Sequence, residues 1–144
     1  MLEGLQDEIA AHPEFTGASR QIIMDALNKD GSAQTETWER VPLEDQKITI
    51  SKATLLTYLN ADQRKGLRQI MASGTDAGDD LKMLYEADDV FWVNDLTFRG
   101  MIDSLGTAIS LPAETVTAIK RLGERAISRA EELFGRKIVE GDFE

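Results

Sequence analysis

The chain has 144 residues, no cysteine and one histidine, His12. Thiol catalysis, thiolate metal sites, disulfide frameworks and a His-rich metal centre are thereby excluded. With 26 acidic residues against 16 basic ones, the formal net charge is -10. That field repels a phosphate backbone and favours contact with basic protein surfaces.

A chain of this length fits one domain, 1–144. Its first residues, Met-Leu-Glu-Gly-Leu-Gln-Asp-Glu, are acidic and lack the long apolar core of a signal peptide. No apolar run approaches the roughly 18 residues of a membrane span. The expectation is a chain that is neither exported by that route nor anchored in a membrane.

Leu2, Leu5 and Ile9 recur at helical spacing, and Pro13 stops that helix. Thr16 is placed to cap a second helix bearing Ile22, Ile23, Ala26 and Leu27 on one face. Residues 28–32, Asn-Lys-Asp-Gly-Ser, read as a loop. Between residues 35 and 50, Thr37, Trp38, Val41, Ile48, Thr49 and Ile50 suit a pleated surface. One or two short strands joined by a turn are expected there, with Pro42 in the turn or on an edge.

Helical periodicity returns at Ser51, a candidate cap followed by Leu55, Leu56 and Leu59. Asn60 and Gln63 stand at capping-box spacing ahead of Leu67, Ile70 and Met71. Ser73-Gly-Thr75 ends that element, and Asp76 or Asp79 opens a helix with Leu81, Leu84 and Tyr85. The apolar run Val90-Phe-Trp-Val93 precedes a helix carrying Leu96, Met101, Ile102 and Leu105, closed by Gly106. Ser110 and Pro112 open the last helix, along which Val116, Ile119, Leu122, Ala126, Ala130 and Leu133 repeat every three or four residues. Gly123 is a point at which this helix can kink or break, and Gly135 suits a left-handed terminal cap. Residues 137–143 suit a short strand against the Ile48 region. The fold expected is mainly α: a bundle of about six helices with a small β element near residues 35–50 and 137–143.

Carboxylates are the only abundant catalytic groups. Asp76, Asp79, Asp80, Glu86, Asp88 and Asp89 crowd one stretch. A divalent cation site or an acid pair is one reading, and a solvated acidic surface is the more economical one. The order of oxygen ligands that an EF-hand needs is missing, as are a P-loop and a Gly-x-Gly-x-x-Gly turn. A lone histidine gives no catalytic triad, and His12 suits the C-terminal end of the first helix. No catalytic residue, cofactor or metal is assigned.

Interfaces are the remaining class. Phe91 and Trp92 are either a buried junction between helices or an aromatic anchor for a partner. Trp38 and Val41 lie on an expected edge strand, which invites strand addition. Arg125 and Arg129 read as surface cations one helical turn apart, with Glu124 and Glu132 near them. Trp38, Val41, Phe91, Trp92 and Arg129 are the candidate interface residues.

The segment Ser128-Arg-Ala-Glu-Glu-Leu-Phe-Gly135 resembles the closing helix of a widespread structural protein family of tailed phages and prophages. Members of that family begin with a Leu-rich helix ending near a proline, as in Leu5-Gln-Asp-Glu-Ile9 to Pro13, and a second helix ending as in Leu27-Asn28. A short extended segment then leads into a Ser-capped helix, as in Ile48-Thr-Ile-Ser51. After the closing helix comes a hydrophobic stretch with Gly-Asp, as in Ile138-Val-Glu-Gly-Asp142. These features follow in order over most of the chain, and residues 75–95 fall outside them. The resemblance implies a non-enzymatic virion component from the tail or fibre region, assembled in the host cytoplasm with other phage structural proteins. It implies oligomeric contacts, while the expectation of no nucleic-acid and no membrane partner rests on the net charge and the lack of a long apolar run. An assembly chaperone or host-factor-binding protein is the alternative.

Overall fold

The computed structural model describes residues 1–144. The chain is mainly α, with eight α-helices, four three-residue strands and two 3-10 turns. No helix is long and apolar enough to cross a membrane. The residues fall into two compact units, one made of residues 1–39 and 125–144 and the other of residues 40–124. Each has a hydrophobic core of its own.

The first unit is built from both chain ends. Helix α1 (Leu5–Ala11) stops at His12, and Pro13–Phe15 form a 3-10 turn. Helix α2 (Arg20–Asn28) is capped by Ser19 and not by Thr16, because the Ser19 hydroxyl accepts from the Ile22 amide. Its inward side carries Ile23, Met24 and Leu27, while Ile22 and Ala26 face out. Strand β1 (Trp38–Arg40), at the end of the segment that follows, pairs with β4 (Glu124–Ala126), and the chain passes between units within these two strands. Helix α8 (Arg129–Phe134) packs on α2. It ends at Gly135, whose φ of 73° is the left-handed cap expected of glycine. Leu5, Phe15, Ile23, Leu27, Ala130 and Ile138 are among the buried residues of this core.

Residues 137–143 do not form a strand. Asn28 holds the main chain of Ile138 with both side-chain ends, and a 3-10 turn follows at Glu140–Phe143. That turn packs on α2 and buries Phe143.

The second unit holds strand β2 (Thr49–Ser51), helices α3 (Lys52–Thr57), α4 (Ala61–Met71) and α5 (Asp76–Glu86), strand β3 (Val90–Trp92), and helices α6 (Leu96–Ala108) and α7 (Ala113–Arg121). Pro42 opens the turn preceding β2, with its carbonyl accepting from Asp45 N–H. Helices α3, α4 and α5 each start where a side chain satisfies an orphan amide. Ser51 caps α3, the Asn60–Gln63 capping box is closed in both directions at 2.8 Å, and Thr75, the residue before the expected aspartates, caps α5. Strands β2 and β3 pair antiparallel, with Ile50 opposite Phe91. The core gathers Leu55, Leu67, Phe91, Ile102, Leu105 and Ile119, among others.

Two further helix boundaries differ from those expected. Helix α6 runs through Gly106 to Ala108, and Gly106 lies so close to α7 that a Cβ there would sit 2.8 Å from Val116. This glycine serves helix packing. The long last helix is instead two helices separated by β4. Gly123 marks the break: a Cβ on it would lie 2.0 Å from the Val93 carbonyl oxygen. Helical periodicity continues across the break in the sequence, but the backbone at Gly123 is held against another main chain.

Candidate interaction surface

The run Val90-Phe-Trp-Val93 was open to two readings, and strand geometry divides them between neighbouring residues. In a strand, successive side chains point to opposite faces. Phe91 and Val93 are buried, at 6% and 0% exposure, whereas Trp92 is 38% exposed. The Phe91 ring lies between those of Tyr85 and Phe98, with centroids 5.7 Å and 5.5 Å away. Trp92 faces outward, with the Lys47 ammonium 3.2 Å from its ring centroid. Such a cation over an indole face is attracted by the ring quadrupole.

Next comes Asn94, fully buried. Its Oδ1 accepts from Ile48 N–H at 3.1 Å. Its Nδ2 donates to the carbonyls of Gln46 at 2.6 Å and Val41 at 3.2 Å. Arg40 donates to the Asn94 carbonyl at 2.8 Å. One side chain thus ties the turn before β2 to the end of β3. Asp95 then caps α6 by accepting from Thr97 N–H. Trp92 is therefore presented from a short strand fixed at its C-terminal end by buried polar bonds.

Between the end of α5, strand β3 and the first turns of α6 lies an apolar recess of about 290 Å³. Leu84 and Trp92 stand on its exposed margin, and the buried residues Phe91, Phe98 and Met101 line it more deeply. Asp88 and Asp95 add carboxylates to the lining. Two further large apolar side chains on the same helices are open to solvent, Met83 of α5 at 70% and Leu96 of α6 at 68%. Of the apolar residues expected on this helix, Leu81 faces inward, whereas Leu84 is 38% exposed. The other carboxylates of residues 76–89 do not converge, since no three ionisable ligands are grouped to share a cation.

The remaining candidates sit elsewhere. Val41 is half-buried, its amide bonded to the Gly123 carbonyl and its own carbonyl to Asn94. Trp38 belongs to the other unit, where it is half-buried and donates from Nε1 to Glu36 at 3.3 Å. Arg129, in the same unit as Trp38, is largely buried and not a surface cation. Its Nε and Nη2 donate to the two Glu8 carboxylate oxygens at 2.8 and 3.1 Å, and Nη1 to Glu132 at 2.9 Å.

Nor do Arg125 and Arg129 share a helix. Arg125 lies in β4 and pairs with Glu131, Asp30 and Glu39. Side-chain hydrogen bonds set the ionisation of this network. The Arg125 guanidinium, with Ser128, holds Glu131 at about 2. Thr35, Arg129 and the Gln34 amide hold Glu132 at about 2. Glu8 is lowered chiefly by Arg129, and His12 is raised chiefly by its hydrogen bond to Glu8, 2.8 Å away. No buried side-chain nitrogen or oxygen lacks a partner. The Ser128–Gly135 segment is thus a bracket: its capping box starts α8 while its arginine reaches α1 and its Glu132 holds residues 34 and 35.

Sequence reasoning found Phe91 and Trp92 but missed Leu84, Met101 and Asp95 as parts of one surface. The available signal was the run of carboxylates around apolar residues between 84 and 95. Nothing local marks Glu8 and Arg129 as partners, since they are 121 residues apart. Compared with protein-family profiles, curated proteins and solved structures, the chain matches none.

Proposed function

We propose that this chain is a structural component of a tailed-phage particle, a tail, baseplate, fibre-adaptor or neck protein that works through protein–protein contacts and catalyses no reaction. Two supports are independent. The resemblance in the order of the Leu5–Pro13, Ile48–Ser51 and Ser128–Gly135 motifs points to the particle. The observation that carries the mode of action is the apolar recess beside Trp92, where large apolar side chains on a hydrogen-bonded frame are left open to solvent. Aromatic side chains in well-packed, desolvating pockets dominate binding energy at protein interfaces.

On this reading the chain resides in the virion after assembly in the host cytoplasm, in oligomeric contact with other phage structural proteins. Mass spectrometry of purified particles, from a phage or induced prophage encoding the chain, tests it. The expected result is the chain at a fixed ratio to known tail proteins. Absence from mature particles, with the chain retained in the lysate, overturns the virion assignment and favours an assembly chaperone or host-factor-binding protein, for which the charge of -10 also suits a basic partner.

A further inference from the structure

We propose that the α5–β3–α6 recess receives an apolar segment flanked by lysines or arginines on a different protein. This rests on the protein-contact reading above and specifies the partner's chemistry.

The recess supplies both halves of that specification. Leu84 and Trp92 offer exposed apolar surface beside a floor of Phe98 and Met101, and covering such surface from water is favourable in proportion to its area. The surroundings supply the charge. From Asp76 to Asp95 the chain carries seven carboxylates, at 76, 79, 80, 86, 88, 89 and 95, against one cation, Lys82. Asp88 and Asp95 belong to the lining itself. Two cations from outside this stretch are each engaged with a ring, Lys47 on Trp92 and Lys52 over Tyr85, 3.2 and 4.8 Å from the centroids. An apolar segment alone satisfies the recess but leaves Asp88 and Asp95 facing the partner. Basic residues on either side of it complete the match, as complementary potentials do at specific interfaces.

Charge also selects against a second copy of the chain. A two-fold dimer through this surface places the same patch against itself. Asp88 and Asp95 of both copies would then be enclosed in one interface, and each chain carries a net charge of -10. Like-charge juxtaposition opposes such an interface.

The test selects a random peptide library displayed on yeast against the full chain, followed by affinity measurement with the enriched synthetic peptides. Expected are peptides with two or more large apolar residues bracketed by Lys or Arg, whose binding weakens as salt is raised. Trp92→Ala and Leu84→Ser each weaken binding by about tenfold or more, on the scale of an interface anchor. The Asp88→Asn/Asp95→Asn double variant keeps the α6 cap, because asparagine caps as well as aspartate. It weakens binding and flattens the salt dependence. A urea midpoint for each variant shows that the fold is kept. Failure to enrich any peptide overturns the proposal. So do enriched peptides without basic residues, binding indifferent to all three variants, or a concentration-dependent dimer abolished by Trp92→Ala. Particle composition is read separately. A chain found in virions that binds no basic apolar peptide sinks this inference alone, and one that binds such peptides but is absent from virions sinks only the virion assignment.

Discussion

Asn94→Ala tests the frame that presents Trp92. The amide side chain is fully buried and makes three hydrogen bonds to main-chain groups of Val41, Gln46 and Ile48. Truncation leaves one N–H and two carbonyls without that partner. A buried group left unsatisfied costs about 1–3 kcal/mol. Gln46 is exposed and Val41 and Ile48 are half-buried, so water recovers part of the loss at these main-chain groups. The expected destabilisation is about 3 kcal/mol, a large fraction of the roughly 5–15 kcal/mol that holds a typical domain.

Asn94→Asp gives a sharper contrast. It keeps the acceptor for Ile48 but turns a carboxylate oxygen toward two carbonyl oxygens. At neutral pH it is therefore expected to be worse than alanine. Acidification restores a donor by protonating the carboxyl and recovers part of the loss. The assay is urea unfolding followed by Trp92 fluorescence in a Trp38→Phe background, which reports on residues 40–124, since two compact units need not unfold together. Amide exchange at Ile48 provides a local reading. A loss below about 1 kcal/mol for Asn94→Ala, the size of one ordinary hydrogen bond, refutes the account. So does an aspartate variant that behaves like alanine at every pH.

Three further outcomes follow from contacts already described. Gly123→Ala forces a Cβ onto the Val93 carbonyl and is expected to cost about 3 kcal/mol or more, measured by the same urea titration; a neutral substitution would show that the two main chains are not held together. Arg129→Met leaves Glu8, 8% exposed, with His12 as its one remaining ionic partner, and is expected to cost about 3 kcal/mol. Adding Glu8→Gln should return part of that loss, and no recovery in the double variant would argue against a coupled pair. His12 is the one histidine, so its ring-proton NMR signals titrate alone. Its pKa is expected above the ordinary value of about 6.5, because Glu8 and then Glu14 favour the imidazolium. The stability it contributes is complete below that ordinary value and is lost as pH rises through the raised one. Glu8→Gln should bring the titration down, and a wild-type midpoint at or below the ordinary value contradicts the geometry.

Elements whose cause lies within a few residues were legible in the sequence. Ser51 and the Asn60–Gln63 pair start helices because each partner amide is three residues away, and Gly135 ends one because its own backbone tolerates a positive φ. Phe91 and Trp92 stood out by composition alone. Other boundaries depend on distant main chain. The regular spacing from Val116 to Leu133 reads as one helix, and only the approach of Gly123 to Val93 separates α7 from α8. Residues 137–143 have strand-like side chains, yet Asn28 takes the main chain of Ile138 that a sheet partner would need.

The same division holds for the candidate surface. Sequence determined that the chain is mainly helical, strongly acidic, and marked by an aromatic run inside a carboxylate-rich stretch, because periodicity and charge are properties of neighbours. Tertiary structure decided that Phe91 is buried and Trp92 is open, that Leu84 and Met101 join Trp92 around one recess, and that Arg129 is held by Glu8. Those facts depend on which face of a strand meets the core and on which side chain answers a buried charge across more than a hundred residues, and no local pattern encodes either.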